Sequence, residues 1–214
     1  MMVSPSSVYE KLRDKDEKEI LQEIRRIRKE IKRLKAILED RYFDEKIVAP
    51  SYELQLEMNI EYLEQAKLAL TVAGHEYYPT KAEQKSIEFS EKLNDLARIE
   101  FHEGGFFSHH ETHVIEFSDS DDAIYRFDFN DFSSGNSKRE IKVYKRECLK
   151  ALRELHIGEW KKKYFAPVLD GIQWELNLYF HNDKRKTYHG SNAYPFSYGK
   201  LKEFFNELER KIEC

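Results

Sequence analysis

The chain contains no Gly-x-Ser-x-Gly elbow, no Walker-type phosphate loop and no dinucleotide-binding Gly-x-Gly-x-x-Gly, so these local signatures of hydrolases and nucleotide enzymes are missing. A catalytic site assembled from distant residues would leave no such trace. Two cysteines, Cys148 and Cys214, are too few for a disulfide framework, and a reducing compartment is the expected setting. No apolar run approaches the ~20 residues of a membrane-spanning helix, and Met1 to Val8 is serine-rich without the apolar core of a secretory leader. A cytoplasmic protein with no membrane partner is therefore expected. The net charge of -4 lacks the basic excess that drives general nucleic-acid binding.

What the chain does have is charge in quantity and one long apolar repeat. Charged residues make up 36% of it and hydrophobic ones 40%, a balance that suits an extended, well-solvated surface. Ile20, Ile24, Ile27, Ile31, Leu34 and Leu38 recur at alternating steps of four and three, the pattern of a helix offering a continuous seam to another helix. The spacing predicts a helix that begins weakly near Val8 after a disordered start and ends between Asp40 and Ile47, a rod of about 40 Å at roughly 1.5 Å per residue. Pro50 suits the first turn of a second helix with Leu56, Ile60, Leu63, Leu70 and Ala73 on its stripe and small Ala66 and Ala69 beside them. Two such helices on a short link are expected to fold back antiparallel. Gly74 closes the second, and His75 to Pro79 is expected to link residues 1–74, a coiled-coil-like hairpin, to residues 75–214.

The 13 Tyr and 14 Phe concentrate after Tyr77, so the second region is expected to be globular. Thr80 and Glu83 form a capping-box pattern opening a helix with Ala82, Phe89, Leu93 and Leu96 on its apolar face. Segments 112–117 and 123–129 alternate as two strands around a turn-rich 118–122. Ser133 to Ser137 is expected to be a loop before a helix carrying Tyr144, Cys148, Leu152 and Leu155. Residues 174–180 alternate as a half-buried strand, Arg185 to Tyr188 is expected to return alongside it, and a last helix from Tyr198 covers the sheet with Leu201, Phe204, Phe205, Leu208 and Ile212. The fold class expected is α+β, a helical hairpin plus a domain of short antiparallel strands packed with helices.

Several groups are candidates for function. Arg25, Arg26, Arg28, Lys29, Lys32, Arg33 and Lys35 lie outside the seam, and Arg25, Arg28, Lys29 and Lys32 offer either a stripe for phosphates or an acidic protein, or a solvated helix exterior. No aromatic residues are interleaved with them, which disfavours single-stranded nucleic acid. Asp119, Asp121 and Asp122 belong to an acidic run that lacks the EF-hand pattern; it reads as a solvated turn or as a phosphate-mimicking surface for a basic partner. His109, Glu111 and His113 share one face of an extended segment, with His110 between them, and imidazoles with a carboxylate are ligands for zinc or iron. Their spacing matches no helical zinc motif, so the metal or hydrolase reading stands as the alternative to a His-rich strand start. Cys148 falls on an apolar stripe, which points to packing.

The residues His156-Ile157-Gly158-Glu159-Trp160-Lys161, then Leu169-Asp170-Gly171 with Gln173-Trp174-Glu175-Leu176, then Gly190-Ser191-Asn192-Ala193-Tyr194-Pro195 form a recognisable series. It resembles a module recurring in uncharacterised proteins of low-GC Gram-positive bacteria and their mobile elements. The resemblance spans residues 156–195, with the preceding Gly104-Gly105-Phe106-Phe107 segment beside it, and implies a bacterial cytosolic origin; it carries over no functional residue. Physically, Trp174, Asn192 and Tyr194 form either a fold-stabilising corner or a recognition pocket. Taken together, the expectation is a non-catalytic binding or regulatory protein that engages a protein or protein–nucleic-acid complex, without a cofactor, as an inhibitor or accessory factor in phage defence or counter-defence.

Overall fold

The structure is a computed structural model that describes residues 4–40, 48–105, 110–131, 135–167, 171–182 and 184–213. The chain divides into two compact units, Met1–Thr80 and Lys81–Cys214. His109, Phe106, Phe107, Leu169 and Asp170, all singled out above, lie outside the described residues.

The first unit holds three helices, α1 (Pro5–Leu12), α2 (Glu17–Leu38) and α3 (Tyr52–Val72). The expected single rod is broken before the repeat begins, and Pro5 opens a helix in a stretch expected to be disordered. The break has a local cause. Asp16 accepts a hydrogen bond from the Glu19 N–H at 2.8 Å while the Glu19 carboxylate accepts one from the Asp16 N–H at 3.4 Å, a capping box that fixes where α2 starts. From there Ile20, Ile24, Ile27, Ile31 and Leu34 are buried, and Leu56, Leu63, Ala66, Ala69 and Leu70 of α3 are buried in turn. The two helices run antiparallel: His75, just beyond α3, lies 3.6 Å from Glu17 at the start of α2, and Tyr52 at the start of α3 acts electrostatically on Arg33 near the end of α2. Val8 and Leu12 of α1 are buried in the same unit. The isoleucine–leucine spine is thus covered within the chain. Residues 75–79, read as a linker, belong to this unit together with Thr80, and the ring of Tyr77 has the Arg28 guanidinium 5.0 Å from its centroid and the Lys67 ammonium 4.8 Å from it.

The second unit is built on one seven-stranded sheet in the order β4-β3-β2-β1-β6-β7-β5. The strands are β1 (Leu96–Gly105), β2 (His110–Phe117), β3 (Asp122–Asp131), β4 (Gly135–Tyr144), β5 (Lys163–Phe165), β6 (Ile172–Phe180) and β7 (Arg185–Ser191). All neighbours are antiparallel except β5 and β7, which are parallel. Alternation puts Ile99 and Phe101 of β1, His113 and Ile115 of β2, Tyr125 and Phe127 of β3, and Trp174, Leu176 and Leu178 of β6 on one buried face. Helix α6 (Tyr198–Glu213) lies against that face, with Phe205 stacked on Phe101 at 5.2 Å. Helices α4 (Lys81–Lys92) and α5 (Lys145–Glu154) complete the unit.

Three expectations are corrected here. Most strands run to eight, nine or ten residues and are not short. Leu96 opens a strand instead of extending α4, because the residues after it place Ile99 and Phe101 at a two-residue period and β6 pairs along their whole length. Of the loop and helix start expected at 133–144, residues 135–144 are strand β4, in which Ile141 and Val143 alternate with charged residues along the edge of the sheet, and Ser133 and Ser134 lie outside the described residues; the helix begins only at Lys145.

Covering the spine is what holds the first unit together. Ile27→Ala, at a position that is 0% exposed, is expected to lower the unfolding free energy of the helical unit by about 2–5 kcal/mol in a urea titration followed by helix signal. Lys29→Ala, at an exposed position of the same helix, is expected to change it by no more than about 0.5 kcal/mol.

Candidate functional site

The basic block on α2 does not stay whole. Arg26 pairs with Glu23 at 2.7 Å and Arg33 with Glu30 at 2.6 Å, each through two hydrogen bonds. Arg28 is half-buried and donates to the Tyr77 hydroxyl and, at 3.4 Å, to the Tyr78 carbonyl, which ties it to the unit's own chain. Arg25, Lys29 and Lys32 are exposed and, among the described residues, have no ion-pair partner. With Lys18 they sit at intervals of seven, four and three, one line down the solvent side of α2.

The acidic run on β2 and β3 is largely spent within the sheet. Glu116 pairs with Arg126 at 2.9 Å, Arg126 with Glu140 at 2.7 Å and Asp128 with Lys138 at 3.8 Å, cross-strand contacts that the antiparallel register dictates. Asp121 accepts from the Arg146 N–H at 3.1 Å and pairs with its guanidinium at 3.0 Å, so it satisfies and charges the start of α5. Asp119 and Asp122 are exposed at the turn.

Trp174, Asn192 and Tyr194 are brought together at one corner. The Trp174 indole N–H donates to the Ala193 carbonyl at 3.0 Å, and Gly190 passes so close that an added Cβ would stand 2.3 Å from the indole nitrogen. Asn192, at a left-handed φ of 52°, accepts from the Ile172 N–H at 2.9 Å, and its own N–H donates to the Ile172 carbonyl. Trp160 donates to Ser197, which donates to the Leu155 carbonyl, so the other tryptophan of the series is also anchored. Tyr194 leans on Tyr198 at 4.5 Å. These polar groups face one another and serve the packing of β6, β7 and the start of α6.

His113 is enclosed. It is 1% exposed, paired with the Tyr125 hydroxyl at 2.7 Å, and surrounded by the rings of Phe101, Phe127 and Phe205 at 5.8, 4.9 and 4.7 Å. Its other nitrogen faces Glu111 at 3.8 Å; Glu111 meets Lys202 of α6 at 3.5 Å, and Lys202 donates to Glu103. A polar chain therefore runs from the edge of α6 into the aromatic core. Glu103, Lys202, Tyr125 and Tyr198 were not legible as members, because they come from three separated elements, β1, β3 and α6. Burial pushes the Tyr198 hydroxyl far above the ordinary tyrosine range, with Glu103 adding to it, and burial does the same to Tyr125. Among the described residues no group of three or more His, Cys, Asp and Glu is placed to hold a metal ion.

A cleft of about 740 Å³ in the sheet unit is lined by residues of β1, β5, β6 and β7 and by His110 of β2. The register sets His102, Glu175, His189 and Lys163 in one row across four strands, so their side chains share the face away from α6. His110, on β2, lies over Gly104, where a Cβ would be only 2.1 Å from its ring. Thr112 holds His102 Nδ1 at 2.9 Å, leaving Nε2 as the ring's other polar atom. Glu175 is occupied by Asn177 at 2.7 Å and Arg185 at 3.4 Å, and Glu103 by Lys202, so both carboxylates of the wall are compensated by cations or amide donors. His102 and His189 stand two strands apart, about 9–10 Å, too far to share one metal ion.

No family model, no curated protein and no solved structure matches this chain. Any functional reading therefore rests on the residues themselves. No helix among the described residues is long and apolar enough to cross a membrane.

The buried acids of this unit make alkaline pH destabilising. Burial raises Cys148 from 9.0 to about 11 and Tyr188 from 10.0 to about 12, in the same direction as Tyr125 and Tyr198. The unfolded chain loses these protons first, so stability is intact below about pH 9 and falls as pH rises towards 12. Urea midpoints measured from pH 8 upward are expected to drop in step, and in a Cys214→Ser background Cys148 is expected to resist alkylation at pH 8 until urea unfolds the protein.

Proposed function

We propose that the protein is a non-catalytic binding protein that uses its coiled-coil-like helical unit to engage an acidic surface on a protein partner. One observation carries the reading: Lys18, Arg25, Lys29 and Lys32 form an exposed line of about 21 Å on α2 that no acid among the described residues neutralises, while the neighbouring Arg26 and Arg33 are paired. Unpaired cations on a rigid helix favour rapid, salt-sensitive association with a complementary surface. Asp119 and Asp122, exposed at their turn, extend the proposal to a basic site on the same partner. Arg28 leaves the set, because its contacts with Tyr77 and Tyr78 make it part of the helical unit. The setting in phage defence or counter-defence rests on the resemblance of residues 156–195 and on the charge asymmetry of the chain, and the cytoplasmic one also on its scarcity of cysteine and of long apolar runs.

Partner capture from the source cells tests this. Arg25→Glu/Lys29→Glu/Lys32→Glu is expected to reduce recovery of the partner about tenfold or more with the fold unchanged by circular dichroism. Recovery of the same proteins by the variant defeats the reading, and so does a partner lost on nuclease treatment, which would make nucleic acid the ligand.

A second reading is favoured by the row of His102, Glu175, His189 and Lys163 on the cleft. With its carboxylates already engaged, the wall presents imidazole and ammonium donors, a setting for a small oxyanion. Inorganic phosphate is expected to shift the His102 and His189 imidazole resonances, and the Lys163→Ala variant is expected to need at least fivefold more phosphate for the same shift. Unmoved imidazole resonances remove this reading without touching the first.

A further inference from the structure

Helix α3 has a second seam, on the side turned away from α2. Leu54, Met58, Glu61, Gln65, Leu68 and Val72 follow one another at steps of four, three, four, three and four, the repeat by which α2 meets α3. At about 100° per residue they fall within an arc of about 80°. Of the residues that α3 buries against its own unit, Leu56, Leu63, Ala66 and Leu70 lie on the far side, while Tyr62 and Ala69 lie between the two, about 60–80° from the middle of the seam. In the whole chain Leu54 is 44% exposed, Leu68 48% and Val72 61%, while Glu61 is exposed and Met58 and Gln65 are half-exposed. Helix α3 is therefore apolar on two sides, and its own unit covers one.

The order of these residues says what fits the other. Read from either end the seam runs apolar, apolar, polar, polar, apolar, apolar, with its centre level with Leu63. We propose that α3 pairs with α3 of a second copy of this chain, antiparallel across a two-fold axis at that level. Leu54 then meets the partner's Val72, Met58 meets the partner's Leu68, and Glu61 meets the partner's Gln65, whose amide donates to the carboxylate. The contact is isologous and closes on itself. A parallel pair would set Glu61 against the partner's Glu61, two like charges in the middle of the seam. Neither Glu61 nor Gln65 has a side-chain partner among the described residues, so both are available for the contact. The seam spans about 27 Å at 1.5 Å per residue, with four apolar side chains from each copy. Such a contact makes a concentration-dependent dimer.

Sedimentation or light scattering across a wide concentration range is expected to show a monomer–dimer equilibrium. Leu68→Glu is expected to leave monomer with unchanged helix content. Gln65→Glu is expected to weaken the dimer about tenfold, and Glu61→Gln/Gln65→Glu, which exchanges the two partners, to restore it. Orientation is read in a Cys214→Ser background, where an equimolar mixture of Leu54→Cys and Val72→Cys chains is expected to form a disulfide between the two kinds of chain, and neither alone to form one. Monomer at every concentration overturns the proposal, as does a dimer that survives Leu68→Glu or a Leu54→Cys chain that cross-links to itself.

Discussion

The pairing of β1 with β6 is the constraint on which the sheet unit depends. It joins Leu96–Gly105 to Ile172–Phe180 and thereby fuses two halves, the run β4-β3-β2-β1 made by successive hairpins and the group β6-β7-β5 made from the last third of the chain. Each half alone would expose a long unsatisfied edge. Their junction also sets the register that carries Ile99, Phe101, Leu176 and Leu178 to the side of α6, where Phe205 completes the layer, and His102, Glu175 and His189 to the other.

That division of faces explains why His113 and His102, eleven positions apart, have opposite environments. They lie in neighbouring strands, but β-sheet alternation sends His113 among Phe101, Phe127 and Phe205 and leaves His102 at an open cleft, held by Thr112. A buried imidazole must have its nitrogens answered, and Tyr125 with the Glu111–Lys202–Glu103 chain does so. The most conspicuous cluster in the sequence is thus partly a structural element, and the more accessible histidines are the scattered ones. The same economy governs charge. Acidic and basic runs that look opposed in the sequence are largely neutralised within their own elements, by cross-strand pairs on β2, β3 and β4 and by three-residue steps along α2, which leaves the line at Lys18, Arg25, Lys29 and Lys32 as the residue of that cancellation.

The sequence by itself determined the elements whose pattern is local and long. The four-three repeat of Ile20 to Leu34 required a covered helix face, the alternation from Trp174 to Phe180 required a half-buried strand, and Leu201, Phe205 and Leu208 required a helix with one apolar side; all are found. It could not place the start of α2, because a capping box of Asp16 and Glu19 competes with propensities that favour continuing the helix. It misread β4, since an edge strand spends its outward positions on charge and shows a helix-like mixture of residues. Only the tertiary structure decided which side chains share a site. His102, Glu175, His189 and Lys163 meet through strand register, which depends on pairing between segments far apart in the chain, and Arg28 was removed from the basic line by Tyr77, a contact fixed by how the chain leaves α3. Periodicity reports which face of an element must be buried; the partner that buries it, and the groups left beside one another on the opposite face, follow from three-dimensional packing alone.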